Sequence, residues 1–139
     1  PNTLEDVDTF ISKNPKEFNT PETWFQLVII EKESNQVIGD IGIHFMDDSN
    51  FQCEIGCTLS KAYHGMGFAT EALRATINHL FQELNKHRII ASIDPLNTSS
   101  IHLMQRLGFR KEAHFKESLW IDGKWVDDII YAMLKSEWK

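Results

Sequence analysis

Apolar residues recur along this chain at two different spacings. Between residues 24 and 59 they alternate with polar ones, as in strands with one buried face. Trp24 to Glu31 and Val37 to Phe45 read as two such strands, and Lys32 to Gln36 supplies the turn of a hairpin. Asp47 to Asn50 is a second turn. Phe51 to Leu59 is a third strand, with Phe51, Cys53, Ile55, Cys57 and Leu59 on one face and Gln52, Glu54, Gly56 and Thr58 on the other. From Ala69 to Asn85 the spacing lengthens to that of a helix, with Ala69, Ala72, Leu73, Thr76, Ile77, Leu80 and Leu84 on one stripe.

Arg88 to Ile93 is again a strand, ended by Pro95. Asn97 or Thr98 can cap a short helix running through Leu107, and Gly108 stands where that helix stops. Phe109 to Phe115 and Val126 to Leu134 read as strands on either side of a tight turn at Asp122-Gly123. At the other end, Leu4 to Ser12 predicts a short helix, with Thr3 and Asp6 resembling a capping box, and Asn14 to Thr23 a connection. The stretch from Phe51 to Ile93 is strand, helix, strand, which predicts a right-handed crossover between parallel strands. Hairpins account for the rest. The predicted fold class is α+β: a mixed, mostly antiparallel sheet flanked by helices. No repeat, low-complexity tract or linker divides residues 1–139, so a single domain is expected.

Composition narrows the possibilities. The 139 residues are 42% hydrophobic and 24% charged, enough apolar material for a real core. No apolar run approaches the ~18 residues that span a bilayer, and the opening PNTLEDVDTF is polar and acidic, unlike a secretory leader. The formal charge of −6 speaks against a nucleic-acid surface and is compatible with a cationic substrate. Cys53 and Cys57 would lie roughly 13 Å apart along one strand, too far to bridge. Two free thiols suit a reducing cytoplasm. The histidines include no H-x-x-x-H pair, and no metal site is expected.

The stretch with the clearest chemical content is YHGMGFATEAL, residues 63–73. Gly65 and Gly67 fall between a strand and the first turn of the long helix. Unpaired N–H groups and the positive end of the helix dipole make such a place receptive to phosphate, and glycine lets the backbone come close. A P-loop would need Lys and Ser/Thr after the second glycine, where Phe68-Ala69 stands. A dinucleotide fingerprint would need Gly or Ala at position 70, which is Thr70. The other reading is a tight strand-to-helix turn with no ligand.

The run His64-Gly65-Met66-Gly67-Phe68-Ala69 resembles the phosphate loop of the GCN5-related N-acetyltransferases, with His64 where that family usually has Gln or Arg. Further elements fit its branch of ribosomal-protein N-terminal and spermidine acetyltransferases. They are Ile55-Gly56, Ala69-Thr70-Glu71-Ala72-Leu73, His87-Arg88, Asn97-Thr98-Ser99-Ser100, Leu107-Gly108-Phe109, Asp122-Gly123-Lys124-Trp125 and Ser136-Glu137-Trp138. The resemblance runs from about Trp24 to the last residue. The family begins with a further strand, and the resemblance implies that this sequence, read from Pro1, starts after it. The resemblance therefore implies an empty sheet position beside Trp24 to Glu31, an edge that invites self-association and a homodimer.

The resemblance implies acetyl-CoA as donor and an amine as acceptor, on a protein N-terminus or a small molecule such as a polyamine. The pyrophosphate would lie on the backbone from Gly65 to Thr70. The pantetheine arm would run beside Cys57, Thr58 and Leu59, with Asn97 reaching it from the next strand. An oxyanion donor is expected near Thr58 or Leu59, and Ser100 would protonate the departing thiolate. Glu54 is the expected base, against the plainer reading of a solvated strand carboxylate. Trp120 and Tyr131 would line the acceptor side, and Cys57 reads as a packed thiol, not a nucleophile. The competing class is a module that binds CoA without turnover, as a sensor or structural subunit.

Overall fold

The computed structural model describes residues 18–46 and 48–139. The expected helix at Leu4 to Ser12 lies outside the described residues. The strands are β1 (Trp24–Ile30), β2 (Val37–Phe45), β3 (Gln52–Leu59), β4 (Arg88–Ile93), β5 (Arg110–Ile121) and β6 (Lys124–Leu134). The helices are α1 (Phe68–Asn78) and α2 (Thr98–Arg106). The strands form one sheet in the order β1-β2-β3-β4-β6-β5. All neighbours are antiparallel except β3 and β4, which are parallel and joined through α1, as the strand-helix-strand pattern predicts. Among the described residues β1 is an edge strand.

One face of the sheet meets both helices. Ile41, Ile43 and Phe45 of β2, Cys53 and Ile55 of β3, and Ile89, Ala91 and Ile93 of β4 pack there against Leu73 and Ile77 of α1 and Leu103 and Met104 of α2. These are alternate residues, so the opposite face carries Trp24 and Gln26, Asp40, Gly42 and His44, Glu54, Gly56 and Thr58, and Ser92. Lys86, although charged, is 2% exposed. Its Nζ donates to Asn19 Oδ1 and to the Asn50 carbonyl, both at 2.5 Å, so hydrogen bonds offset the loss of water.

Four sequence expectations need correction. The long helix is α-helical only to Asn78, and His79–Glu83 form a wider π-type turn. That turn brings two consecutive bulky residues, Leu80 and Phe81, fully into the core, where the regular stripe had included Leu80 alone. Phe51, expected on the buried face, is 56% exposed, because β3 begins at Gln52 and the Phe51 carbonyl takes the N–H groups of His87 and Arg88. The last hairpin is longer than expected. β5 continues to Ile121 through an irregularity at Glu117, whose N–H donates to Asp127, and Asp122 and Gly123 make the turn with positive φ at both. Tyr131 is a core residue, 5% exposed, and Trp120 stands near the hairpin tip against Trp125.

Phe81 has no exposed surface and packs against the C-terminal Trp138, ring centroids 6.2 Å apart. Phe81→Ala should cost about 3–5 kcal/mol of stability, read as a lower midpoint in urea unfolding.

Candidate active site

β3 and β4 pair only at Gln52–Arg88, Cys53–Ile89 and Glu54–Ile90. Beyond Glu54 the strands part, while β3 stays paired with β2 as far as Leu59. The direction of the freed backbone follows from the register. Ser60 N–H donates to the Ile38 carbonyl across Gly39–Leu59, which makes that pair a non-hydrogen-bonded one. The alternation then turns the N–H and C=O groups of Cys57 and Leu59 away from β2, into the gap. Those of Thr58 face Asp40. Thr58 accordingly offers the gap its side chain and not its N–H. A Cβ on Gly39 would stand 2.2 Å from the Thr58 carbonyl, so this approach of β2 to β3 requires glycine.

The loop after β3 folds over the same gap. A short 3-10 turn, Lys61–Tyr63, leads into Gly65 and Gly67 at φ +77° and +82°, a left-handed backbone that glycine adopts without strain. A Cβ at either glycine would meet no atom within 4 Å, so both face open space. Gly67 caps α1 without a side chain, and the first helical hydrogen bond runs from Glu71 N–H to the Gly67 carbonyl. The N–H groups of Phe68, Ala69 and Thr70 therefore have no acceptor within the helix. His64 is fastened instead of free: its Nε2 lies 2.7 Å from the Leu59 carbonyl, which ties the loop to the end of β3.

Across the gap, Asn97 caps α2 by accepting the Ser100 N–H at 3.1 Å. That bond uses the backbone N–H of Ser100 and not its hydroxyl. The cavity, about 670 Å³, is bounded by the end of β3, the glycine loop, the start of α1 and one side of α2. Cys57, Thr58, Leu59, His64, Gly65, Gly67, Phe68, Ala69, Thr70, Asn97 and Ser100 all line it. Met66 does not, and is 64% exposed. Ser99, His102, Leu103 and Arg106 also line it and were not singled out from the sequence. Their spacing of three, four and seven residues is one face of α2, a periodic signal that was available.

A second cavity of about 340 Å³ lies in the gap itself, with Ile55, Ala91, Ile93, Leu103 and Met104 lining its helix side. It shares Cys57, Thr58, Asn97, Ser100 and Leu103 with the first, and adds Gln26, Asp40, Gly42, Gly56, Ser92 and Asp94. Ser92 Oγ donates to Asp128 Oδ1 at 2.6 Å. Glu54 lines neither cavity. It lies one step away on the same face, in a cross-strand row with Trp24 and His44. The Trp24 ring stacks on His44 at 4.6 Å, and His44 Nδ1 is 3.8 Å from Glu54 Oε1. Burial raises the proton affinity of Glu54 above that of an ordinary carboxylate, with Asp128 adding to the rise and His44 opposing it. Burial also raises that of Asp40. Cys57 is pushed up to about 11, by burial first and then by Asp40, so its thiol keeps its proton at neutral pH.

Comparison with known proteins gives this geometry a context. Residues 1–110 match the model of the acetyltransferase (GNAT) domain. An N-acetyltransferase of Bacillus licheniformis, p20, is 38% identical over 110 residues, 79% of this chain and 62% of that protein. The [ribosomal protein uS5]-alanine N-acetyltransferase of Escherichia coli is 31% identical over 123 residues, 88% of this chain and 63% of that protein. The chain thus spans about three-fifths of the length of these two relatives. The crystal structure of a GNAT-family acetyltransferase from Bacillus anthracis superposes with a TM-score of 0.83 at 32% identity, covering 97% of this chain and 76% of that one. Among the described residues no helix is long and apolar enough to cross a membrane.

His44 holds the proton affinity of Glu54 down, against burial. His44→Gln should therefore move the Glu54 titration to higher pH, as followed by the carboxyl carbon-13 shift. An unchanged midpoint would mean that the imidazole does not act on this carboxylate.

Proposed function

Because the chain belongs to the GNAT acetyltransferase domain family, we propose that it transfers an acetyl group from acetyl-CoA to a primary amine. The observation that carries this reading is the meeting of two cavities where β3 leaves β4, with Cys57, Thr58, Asn97 and Ser100 on both. A donor approaching over the glycine loop and an acceptor approaching from the open sheet face would converge there.

On the donor side, the free N–H groups of Phe68, Ala69 and Thr70 and the left-handed Gly65 and Gly67 hold the pyrophosphate at the positive end of α1. Arg106 supplies a cation on the same cavity wall. The inward-turned backbone of Cys57 and Leu59 pairs with the pantetheine arm as a neighbouring strand would. One of these N–H groups then steadies the oxyanion as the thioester carbonyl is attacked.

The amine must first lose a proton, since alkyl amines titrate at about 10.4 and α-amines at about 8. Glu54 accepts it through water, being one step removed from the cavity and having its proton affinity raised by burial. The C–N bond forms and the C–S bond breaks. Ser100 donates a proton to the departing thiolate and is reprotonated from solvent. The acceptor is an amine of a protein N-terminus or of a small molecule. The Escherichia coli relative, named for the alanine of a ribosomal protein, favours trying peptides first. Two free thiols and a need for acetyl-CoA favour the cytoplasm for this chemistry.

The test is release of CoA thiol from acetyl-CoA with N-terminal peptides, polyamines and aminoglycosides as acceptors. Turnover with none of them, despite donor binding, would leave a CoA-binding module. Gly67→Val adds a side chain that points into the open cradle at a positive φ. It should weaken acetyl-CoA binding at least about tenfold, about 1.4 kcal/mol, by calorimetry. Full affinity in the folded variant would remove the phosphate from this loop. Ser100→Ala should slow the chemical step in single turnover while leaving donor affinity intact.

A further inference from the structure

The acceptor cavity contains a carboxylate that the reading above leaves unused. Asp40 sits in the middle of β2, directly opposite Thr58 of β3. Cross-strand partners of this kind have Cβ atoms about 5.5 Å apart and side chains on the same face. Asp40 therefore lies beside Thr58, one of the five residues common to the two cavities, whereas Glu54 is four residues back along β3. Gly42 and Gly56 face one another in the next row of the same face; the Gln26 amide and the Trp24 ring from β1 lie over Gly42, and the space over Gly56 is open.

Among the described residues the Asp40 carboxylate makes no hydrogen bond or ion pair, although the residue is half-buried. Its surroundings contrast with those of the neighbouring acids. Asp128 receives the Ser92 hydroxyl, Asp94 accepts the Leu96 N–H, and Glu54 has His44 beside it. Withdrawing a carboxylate from water is costly, and burial accordingly raises its proton affinity. A cation entering the cavity would reverse that penalty.

The geometry points to Asp40 as the counter-ion that receives the acceptor's ammonium group at the mouth of the gap. The proposal rests on the acetyl-transfer reading for the identity of the cation, but its binding step stands apart from turnover. Most amines arrive protonated near neutral pH. A carboxylate at Thr58 holds the nitrogen beside the place where the thioester would lie, and the proton leaves afterwards. An ion pair also stabilises the protonated form, so its contribution is to capture and position the amine and not to hasten deprotonation. Loss of Asp40 should accordingly raise KM for the amine more than it lowers kcat.

The direct test uses n-butylammonium as probe and n-butanol as its uncharged counterpart, with binding to the CoA-loaded protein followed by saturation-transfer NMR. The wild-type chain should bind the cation in preference to the alcohol. Asp40→Asn should lose about tenfold or more of that binding, and Asp40→Glu should keep most of it. Acetyl-CoA affinity, unchanged in both variants, verifies that they are folded. Equal binding of cation and alcohol by the wild-type chain, or wild-type binding of the cation by Asp40→Asn, overturns the assignment. The two readings fail separately. Cation binding that depends on Asp40 in a chain that acetylates no amine keeps the counter-ion and removes the transferase. Amine acetylation with an unchanged KM in Asp40→Asn does the opposite.

Discussion

Everything in the site follows from one broken ladder. β3 and β4 share three residue pairs and then separate, leaving a stretch of strand backbone with a partner on one side only. Such backbone is costly in a dry interior. It is acceptable here because a cavity meets it and because α1 and α2 start on either side of the opening. A parallel pair joined through a helix would ordinarily run on in register. Here the connection forces an exit: the chain must turn out of β3 to reach α1, and Gly65 and Gly67 make that turn in the left-handed region.

The side of β3 away from the gap has the opposite requirement. It must stay closed for the strand to hold its place, and Gly39 allows β2 to approach closer to Thr58 than any side chain would permit. Gly56 leaves the open face clear between Thr58 and Glu54, while Gly42 makes room for the Gln26 amide and the Trp24 ring that lie over it. The glycines thus divide their work: Gly39 draws strands together, Gly42 seats side chains of β1, and Gly56 leaves space.

Much of this was legible in the sequence because it depends on local rules. The alternation in β2 and β3, the turn chemistry at Asp122-Gly123, the cap at Asn97 and the glycine pair before α1 each act within a few residues. What escaped depends on several elements at once. The π-turn at His79–Glu83 exists so that Leu80 and Phe81 can both reach a core whose shape other strands define. Asp40 and Ser92 line the second cavity only because β2 and β4 flank β3 there, a relation that no single window contains. Glu54 was read as a carboxylate on the face opposite Cys53, and it lies on that face. Its distance from the cavity wall is a matter of where along β3 the gap begins.

The half-buried thiol of Cys57 has a chemical consequence of its own. It stands on the wall shared by both cavities, within reach of any activated acyl group brought there. An ordinary cysteine in that position would exchange with a thioester and leave the protein acylated. With its proton held up to about 11, only about one thiol in ten thousand is ionised at neutral pH. Burial and the neighbouring Asp40 thus keep a sulfur nucleophile inert at the place where, on the proposed acetyl-transfer reading, it would compete with the acceptor.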